Sequence, residues 1–291
     1  MVKPFSVNIC GVDFKNPIVA ASGTYSYAES GLYYDPAALG CITTKAVSME
    51  PWAGNDAPKI AETRGGMLNS IGLANCGLKS YIETELKPLK ASGATVMANV
   101  AGHTAEEYVA VAEGLAATDV DLIELNISCP NVKQGGISFG TDAGTAAGLV
   151  SRVKKTCGKK TMIVKLTPNV TDIAEIARAV VDGGADGISL INTLRGMRID
   201  LKTQKPVMTT GSGGLSGPAI HPIAVYMVYE VRNAVKVPII GMGGVMTGED
   251  AYELMLAGAD AVAVGTAALI DPSAPMRILA ELAELLDENS G

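Results

Sequence analysis

Apolar residues along this 291-residue chain gather into eight short runs of strand length, separated by longer segments in which they return every three or four positions. Short runs read as buried strands and the longer periodic segments as amphipathic helices. Their alternation is the pattern of a parallel sheet wrapped by helices. The runs end near Ala21, Lys45, Asn99, Asn126, Leu166, Ile191, Met242 and Gly265. Two begin alike, with Gly184-Ala185-Asp186 before Gly187-Ile188-Ser189-Leu190-Ile191 and Gly258-Ala259-Asp260 before Ala261-Val262-Ala263-Val264. That repetition marks a repeated supersecondary unit. Between runs, Thr104 and Glu107 read as a capping box ahead of Tyr108, Val111 and Leu115 on one helical face. Ile173, Ile176, Ala177 and Val180 keep the same spacing, as do Leu279, Leu282 and Leu286 in the last helix. Eight strand and helix pairs with no break in composition predict the α/β class and a closed (β/α)8 TIM barrel, one domain over residues 1–291, with an open doubly wound sheet as the alternative. Residues 5–14 alternate around Gly11 and predict an N-terminal hairpin that closes the barrel floor. Residues 46–80 and 194–218 are the long excursions, inserted loops placed to act as lids over the C-terminal face.

Hydrophobic residues make up 48% of the chain but aromatics only 4%, and there are 33 glycines, so the core is built from small and branched side chains. A formal net charge of -7 with no lysine- or arginine-rich block argues against a nucleic-acid partner. The segment Met1-Val2-Lys3-Pro4-Phe5-Ser6-Val7-Asn8 lacks the apolar core of a secretion signal, and no stretch approaches the roughly 20 apolar residues of a spanning helix. A soluble, cytoplasmic protein without membrane contact is expected. Five cysteines, Cys10, Cys41, Cys76, Cys129 and Cys157, form an odd, widely spaced set without a C-x-x-C pair, which points away from a disulfide framework and from an iron-sulfur cluster within the chain. His103 and His221 are too few and too far apart to suggest a metal site.

Composition changes the picture less than the strand ends do. In barrels of this kind the chemistry sits where the strands finish, and here those ends are polar: Ser22-Gly23-Thr24, Lys45, Asn99, Asn126 with Cys129, Lys165, Asn192-Thr193, Gly243-Gly244 and Gly265-Thr266. A lysine within a strand such as Met162-Ile163-Val164-Lys165-Leu166 is costly to bury unless it meets an anion. The competing reading, a basic side chain snorkelling from a strand tip, has to hold for both Lys45 and Lys165 at once. Glycine pairs after runs seven and eight suit loops where backbone amides approach a phosphate. In Asn126-Ile127-Ser128-Cys129-Pro130-Asn131 a thiol stands between two amides, and Pro130 disfavours helix at Cys129. A buried structural thiol is the plain alternative there, and the favoured one for Cys76.

Nearly the whole chain resembles the class 1 dihydroorotate dehydrogenases, flavin-dependent barrel enzymes of pyrimidine synthesis. The likeness is carried by Asn16-Pro17-Ile18 with Ala21-Ser22-Gly23, by Thr44-Lys45-Ala46, by Met67-Leu68-Asn69-Ser70-Ile71-Gly72-Leu73, by Asn126 to Asn131, and by Ile239-Ile240-Gly241-Met242-Gly243-Gly244. The stretch Asn192-Thr193-Leu194-Arg195-Gly196-Met197-Arg198-Ile199-Asp200, continued by Gly213-Gly214-Leu215-Ser216-Gly217-Pro218, looks like the 1B subgroup, which passes electrons to NAD through a partner subunit. Cysteine at 129, where the membrane-bound class has serine, and the absence of an N-terminal extension point away from that class.

The resemblance implies that Cys129 is the base and FMN the hydride acceptor when dihydroorotate becomes orotate. It implies an FMN site formed by Ser22, Lys45, Ala46, Asn99, Asn126, Lys165, Ile191 and Gly217, with Gly243, Gly244, Gly265 and Thr266 around the phosphate. Substrate would meet Lys45, Asn69, Asn126, Asn131, Asn192 and Thr193, flanked by Ser70, Ile71, Gly72 and Leu73. The implied partner is an electron-transfer subunit with FAD and a 2Fe-2S cluster, docked on a homodimer of this chain as a heterotetramer. Within the family the rival is the fumarate-reducing 1A subgroup. Further off stand a Schiff-base aldolase using Lys165 and a barrel that binds flavin or phosphate without chemistry. Asn75-Cys76-Gly77 stands where many relatives have Asn-Pro-Gly, a change expected to alter loop stiffness more than chemistry.

Overall fold

The computed structural model describes residues 5–128 and 139–288. Eight parallel strands close into a barrel: β1 (Ile18–Ala20), β2 (Cys41–Thr43), β3 (Val96–Val100), β4 (Leu122–Asn126), β5 (Thr161–Lys165), β6 (Gly187–Leu190), β7 (Ile239–Met242) and β8 (Ala261–Val264). They pair in chain order, and β8 returns to β1 through Val262↔Ile18 and Val264↔Ala20, so the open-sheet alternative is excluded. The expected run ends fall within a residue or two of these strand ends. On the outside, Tyr108, Val111 and Leu115 are fully buried, and so are Ala177 and Val180 of the helix Ile173–Asp182. In the helix Ala274–Glu288 the buried centre is Ile278 and Leu282, with Leu279 and Leu286 flanking it.

The N-terminal hairpin forms as expected, with Val7–Ile9 pairing antiparallel to Val12–Phe14. Its two-residue turn places Cys10 at φ 52° and Gly11 at φ 89°, the left-handed pair that matches the twist of tight hairpins. Ile9 and Phe14 are fully buried against Cys41, Met97, Leu122 and Ile163, and so plug the lower end of the barrel. Truncating a plug residue such as Phe14 to alanine carries the usual penalty of about 3–5 kcal/mol for a buried aromatic.

Aspartates lock the strand starts in pairs. Asp121, just before β4, donates its N–H to the Val96 carbonyl of β3, while its carboxylate accepts from Val96 N (2.8 Å) and Lys90 Nζ (2.6 Å). Asp186 before β6 does the same with Met162 N (2.7 Å) and Lys154, and Asp260 before β8 with Ile239 N (2.8 Å) and Arg232 Nη2 (2.6 Å). At the first pair Gly40 takes the place of the aspartate, because an added Cβ would lie 1.9 Å from the Asn16 carbonyl oxygen. The barrel therefore repeats every two strands.

One cap differs from expectation. Thr104 accepts from Glu107 N (3.1 Å), but the Glu107 carboxylate reaches past the cap to His103 N (2.6 Å), so the reciprocal box is not closed. The reciprocal box is instead at Thr247 and Asp250, heading the helix Gly248–Leu256. The two long excursions combine into one antiparallel roof in the order Leu194–Gly196, Gly213–Ser216, Gly66–Asn69, Ile60–Thr63. Among the described residues no helix is long and apolar enough to cross a membrane.

Candidate active site

Between roof and strand ends lies a cavity of about 330 Å³. Alternation along each strand decides what faces it. On β4, Ile123 and Leu125 pack outward into the helix layer, so Leu122, Glu124 and Asn126 point into the barrel. On β5, Ile163 lies inside near the floor, and Lys165, two residues on, reaches the cavity. Lys165 is 6% exposed and its ammonium has no hydrogen-bond acceptor or ion-pair partner among the described residues. Lys45 also lines the cavity and likewise has no partner there. Behind it stands Glu85, on the π-turn Ile82–Leu86, whose carboxyl is raised above its ordinary pKa by burial and partly brought back by the Lys45 charge.

The glycine loops after β7 and β8 adopt the geometry that glycine permits. Gly243 has φ 134° and Gly244 φ 71°, and a Cβ on Gly244 would come 2.7 Å from the His221 Cβ and 2.9 Å from the Gly217 carbonyl oxygen. His221, at the start of the helix His221–Ala234, holds this loop: its Nδ1 meets the Gly243 carbonyl at 2.8 Å and its Nε2 the Glu253 carboxylate at 3.1 Å. Gly265 and Thr266 close the same end.

The roof contributes the other wall. Asn69 projects from the strand Gly66–Asn69, and Ser70 is tied to Asn55 Nδ2 (2.8 Å) and Thr210 (2.8 Å), which joins both excursions. Asn75 donates to the Leu73 carbonyl (2.9 Å) and thereby holds Gly72 (φ 73°) and Leu73 (φ 54°) in their left-handed turn. Cys76 is half-buried beside this turn, packs against the core, and its thiol meets the Gly77 carbonyl at 3.7 Å.

Of the residues singled out from sequence, Ser22, Lys45, Ala46, Asn126, Lys165 and Ile191 line one cavity, together with Asn69, Ser70, Ile71, Gly72, Leu73, Asn192 and Thr193 and the four phosphate-loop residues. Two do not reach its surface. Asn99 is fully buried one step behind, between Asn126 and Glu124, and Gly217 sits behind Gly244. Cys129 and Asn131 lie outside the described residues. Thr24, named with the polar strand ends, is also on the wall, whereas sequence reasoning gave no site role to Met67, Ser216 and Met242 on the wall or to Glu124, Ser128 and Ser189 beneath it. A charged residue in an apolar strand drew attention to Lys165, and the same signal was present at Glu124.

Fold and site define a (β/α)8-barrel enzyme whose strand ends enclose a cavity edged by amides, with two unpartnered ammonium groups and a glycine cradle. The chain belongs to the dihydroorotate dehydrogenase family, whose pattern it matches over residues 5–286. It is 54% identical over 285 residues to the "Dihydroorotate dehydrogenase B (NAD(+)), catalytic subunit" of Alkaliphilus metalliredigens (strain QYMF), covering 98% of this chain and 94% of that protein. Proteins with the same name from Geobacter sp. (strain M21) and Geobacillus kaustophilus (strain HTA426) are 53% and 52% identical, over 98% and 97% of this chain and 94% and 91% of theirs. This membership sets aside the aldolase reading of Lys165.

Proposed function

We propose that this chain oxidises dihydroorotate to orotate with FMN bound in the barrel-mouth cavity, and that its electrons reach NAD through a second subunit. The observation that carries the reading is the buried, unpartnered ammonium of Lys165. A charge withdrawn from water without a partner is unfavourable, so the position calls for an anionic or strongly polar ligand edge. The glycine cradle supports a phosphate at the opposite end, because Gly243 and Gly244 leave no room for a side chain where backbone amides would face a ligand.

Oxidation of dihydroorotate removes a proton from carbon 5 and a hydride from carbon 6. The hydride is the part of the chemistry that FMN takes when bound. Cys129 removes the proton as a thiolate. The residue before it in the chain, Ser128, donates with both its hydroxyl and its N–H to Asn126 Oδ1, so the chain is anchored up to that point. Lys165 supplies a fixed positive charge where negative charge develops on reduction. Lys45, Asn69, Asn192, Thr193 and Asn131 hold the substrate carboxylate and ring, since amides suit an edge that alternates donors and acceptors. The roof sheet keeps water from the reacting face.

The names of the relatives, with their NAD(+) and "catalytic subunit", support a separate electron-transfer chain. We assign FAD and a 2Fe-2S cluster to that chain, because five scattered cysteines here offer no C-x-x-C arrangement for a relay. A homodimer of this chain would form the core of a cytoplasmic heterotetramer. The test is a visible spectrum of the purified chain before and after anaerobic dihydroorotate, followed by NAD reduction with and without the co-expressed partner. Bleaching, and NAD reduction only with the partner, are expected. No bleaching would end the flavin-and-substrate reading. A partner-free chain that reduces NAD at the rate of the complex, or reduces fumarate efficiently, would end the 1B assignment.

A further inference from the structure

Inside the barrel, below the cavity, Glu124 is 1% exposed, and among the described residues no cation comes within ion-pairing distance of it. Its carboxylate is held by two neutral donors, Asn99 Nδ2 on Oε2 at 2.5 Å and Ser189 Oγ on Oε1 at 2.6 Å. From Asn99 a chain of hydrogen bonds climbs to the cavity wall. Asn126 Nδ2 donates to Asn99 Oδ1 (3.2 Å), Ser128 Oγ donates to Asn126 Oδ1 (2.9 Å), and Asn192 Nδ2 donates to Ser128 Oγ (2.6 Å).

Every link points the same way, and the lower end decides why. Both Glu124 carboxylate oxygens accept, Oε2 from Asn99 and Oε1 from Ser189. Asn99 must therefore turn its NH2 down to Glu124 and its oxygen up to Asn126. Asn126 must in turn present its NH2 to Asn99 and its oxygen to Ser128, whose hydroxyl, having donated, is left to accept from Asn192. The upper end agrees, because Ser128 N donates to Asn126 Oδ1 (3.2 Å) and Thr193 N to Asn192 Oδ1 (2.8 Å). Asn126 and Asn192 are both on the cavity wall. Each has one amide hydrogen engaged in the chain, so each keeps one amide hydrogen for a ligand.

We propose that Glu124 is a positioning residue for substrate. Its buried carboxylate fixes, through Asn99, Asn126 and Ser128, the donor orientation with which Asn126 and Asn192 meet the ring and carboxylate of the pyrimidine. This rests on the function proposed above and adds a residue two hydrogen bonds below Asn126 and four below Asn192 on the cavity wall. Without an acceptor at 124, Asn99 loses its reason to point its NH2 downward. Half of its orientations then set NH2 against NH2 at Asn126, and the amides no longer hold one arrangement.

The test uses the FMN-loaded chain, orotate as the probe, calorimetric dissociation constants, and thermal midpoints of the same samples. Glu124→Met, which keeps the volume and removes the acceptor, is expected to weaken orotate roughly tenfold, the factor attached to one unmet buried donor. Glu124→Gln can give its oxygen to Asn99 and its NH2 to Ser189, whose hydroxyl then accepts, and should stay within about threefold of the parent. Ser189→Ala removes a hydrogen bond to the same carboxylate without touching the chain. It should lower the thermal midpoint and leave orotate binding within about twofold. Ser128→Ala cuts the chain higher up with little risk to folding and should weaken orotate as Glu124→Met does.

A purely structural role predicts a different pattern, in which orotate affinity follows the thermal midpoint across all four variants. That result would overturn the proposal, as would unchanged orotate affinity in Ser128→Ala or a loss in Glu124→Gln equal to that in Glu124→Met. A parent chain that binds FMN but no orotate would overturn the proposed function itself, and with it this inference.

Discussion

Replacing Lys165 by methionine separates the charge from the space it fills, since methionine keeps the apolar stem and loses the ammonium. The two states of the protein should then respond with opposite signs. In the flavin-free chain Lys165 is 6% exposed and its ammonium has no partner among the described residues, so the charge sits largely out of water with nothing in return. An unmet buried polar group costs about 1–3 kcal/mol, and contact with cavity water places this one at the low end. Flavin-free Lys165→Met is thus expected to be more stable by about 1 kcal/mol, roughly 1.5–2 °C in melting midpoint for a chain of this size. With FMN the sign reverses. A hydrogen bond to a charged group is worth about 1.5–3 kcal/mol, so the flavin dissociation constant should rise roughly 10- to 150-fold. Melting curves of flavin-stripped parent and variant, with a fluorescence titration of FMN into each, measure both terms. Flavin affinity within twofold of the parent, or a flavin-free variant less stable than the parent, would refute the assignment of Lys165 to the ligand.

Cys129→Ser should keep FMN but lose most flavin reduction by dihydroorotate at neutral pH, with activity recovering toward high pH, whereas Cys76→Ser should be nearly silent; equal bleaching rates at pH 7 for parent and Cys129→Ser would remove the thiol from the reaction. Gly244→Ala, at φ 71° and with its Cβ driven against His221 and the Gly217 carbonyl, should strip FMN on gel filtration while the far-ultraviolet dichroism of the barrel persists. Burial raises the Glu85 carboxyl above its unfolded pKa, so the fold favours the protonated form and stability falls as pH climbs from the ordinary glutamate range through the raised value. Glu85→Gln should flatten that part of the profile in urea midpoints taken from acid to neutral pH, and an unaltered slope would contradict the shift.

What could be read before the structure was local. Strand ends, the floor hairpin around Gly11 and the helix faces follow from periodicity and turn chemistry, which need only neighbours in sequence. The paired aspartates were half visible: Gly-Ala-Asp announces Asp186 and Asp260, but Asp121 performs the same task within Thr118-Asp119-Val120-Asp121, and nothing in that string marks it. Its role depends on Val96 and Lys90, some 25 and 31 positions away. The roof was legible as two long excursions and illegible as one sheet, because the pairing of Asn69 with Gly214 spans 145 positions. The family resemblance implied Asn99 at the flavin. It is buried one step lower because Glu124, directly opposite on the neighbouring strand, draws its amide inward.

The pattern of satisfied and unsatisfied polar groups locates function better than the polar groups themselves. The three aspartates at the floor are each matched by a backbone amide and a basic side chain, and Glu124, deeper still, is matched by two neutral donors. Such groups are satisfied within the protein and do not themselves meet a ligand. Among the described residues the fully buried hydroxyls of Tyr25 and Thr63 also lack partners, but neither lines the cavity. Lys165 differs from all of these: it is charged, buried, without a partner among the described residues, and turned toward the cavity, where the half-buried Lys45, backed by Glu85, adds a second positive charge. Burial without a partner is stable only if a partner arrives. A fold that satisfies the four carboxylates of its barrel strands internally and leaves the inward Lys165 ammonium waiting has set both the sign and the place of what it binds.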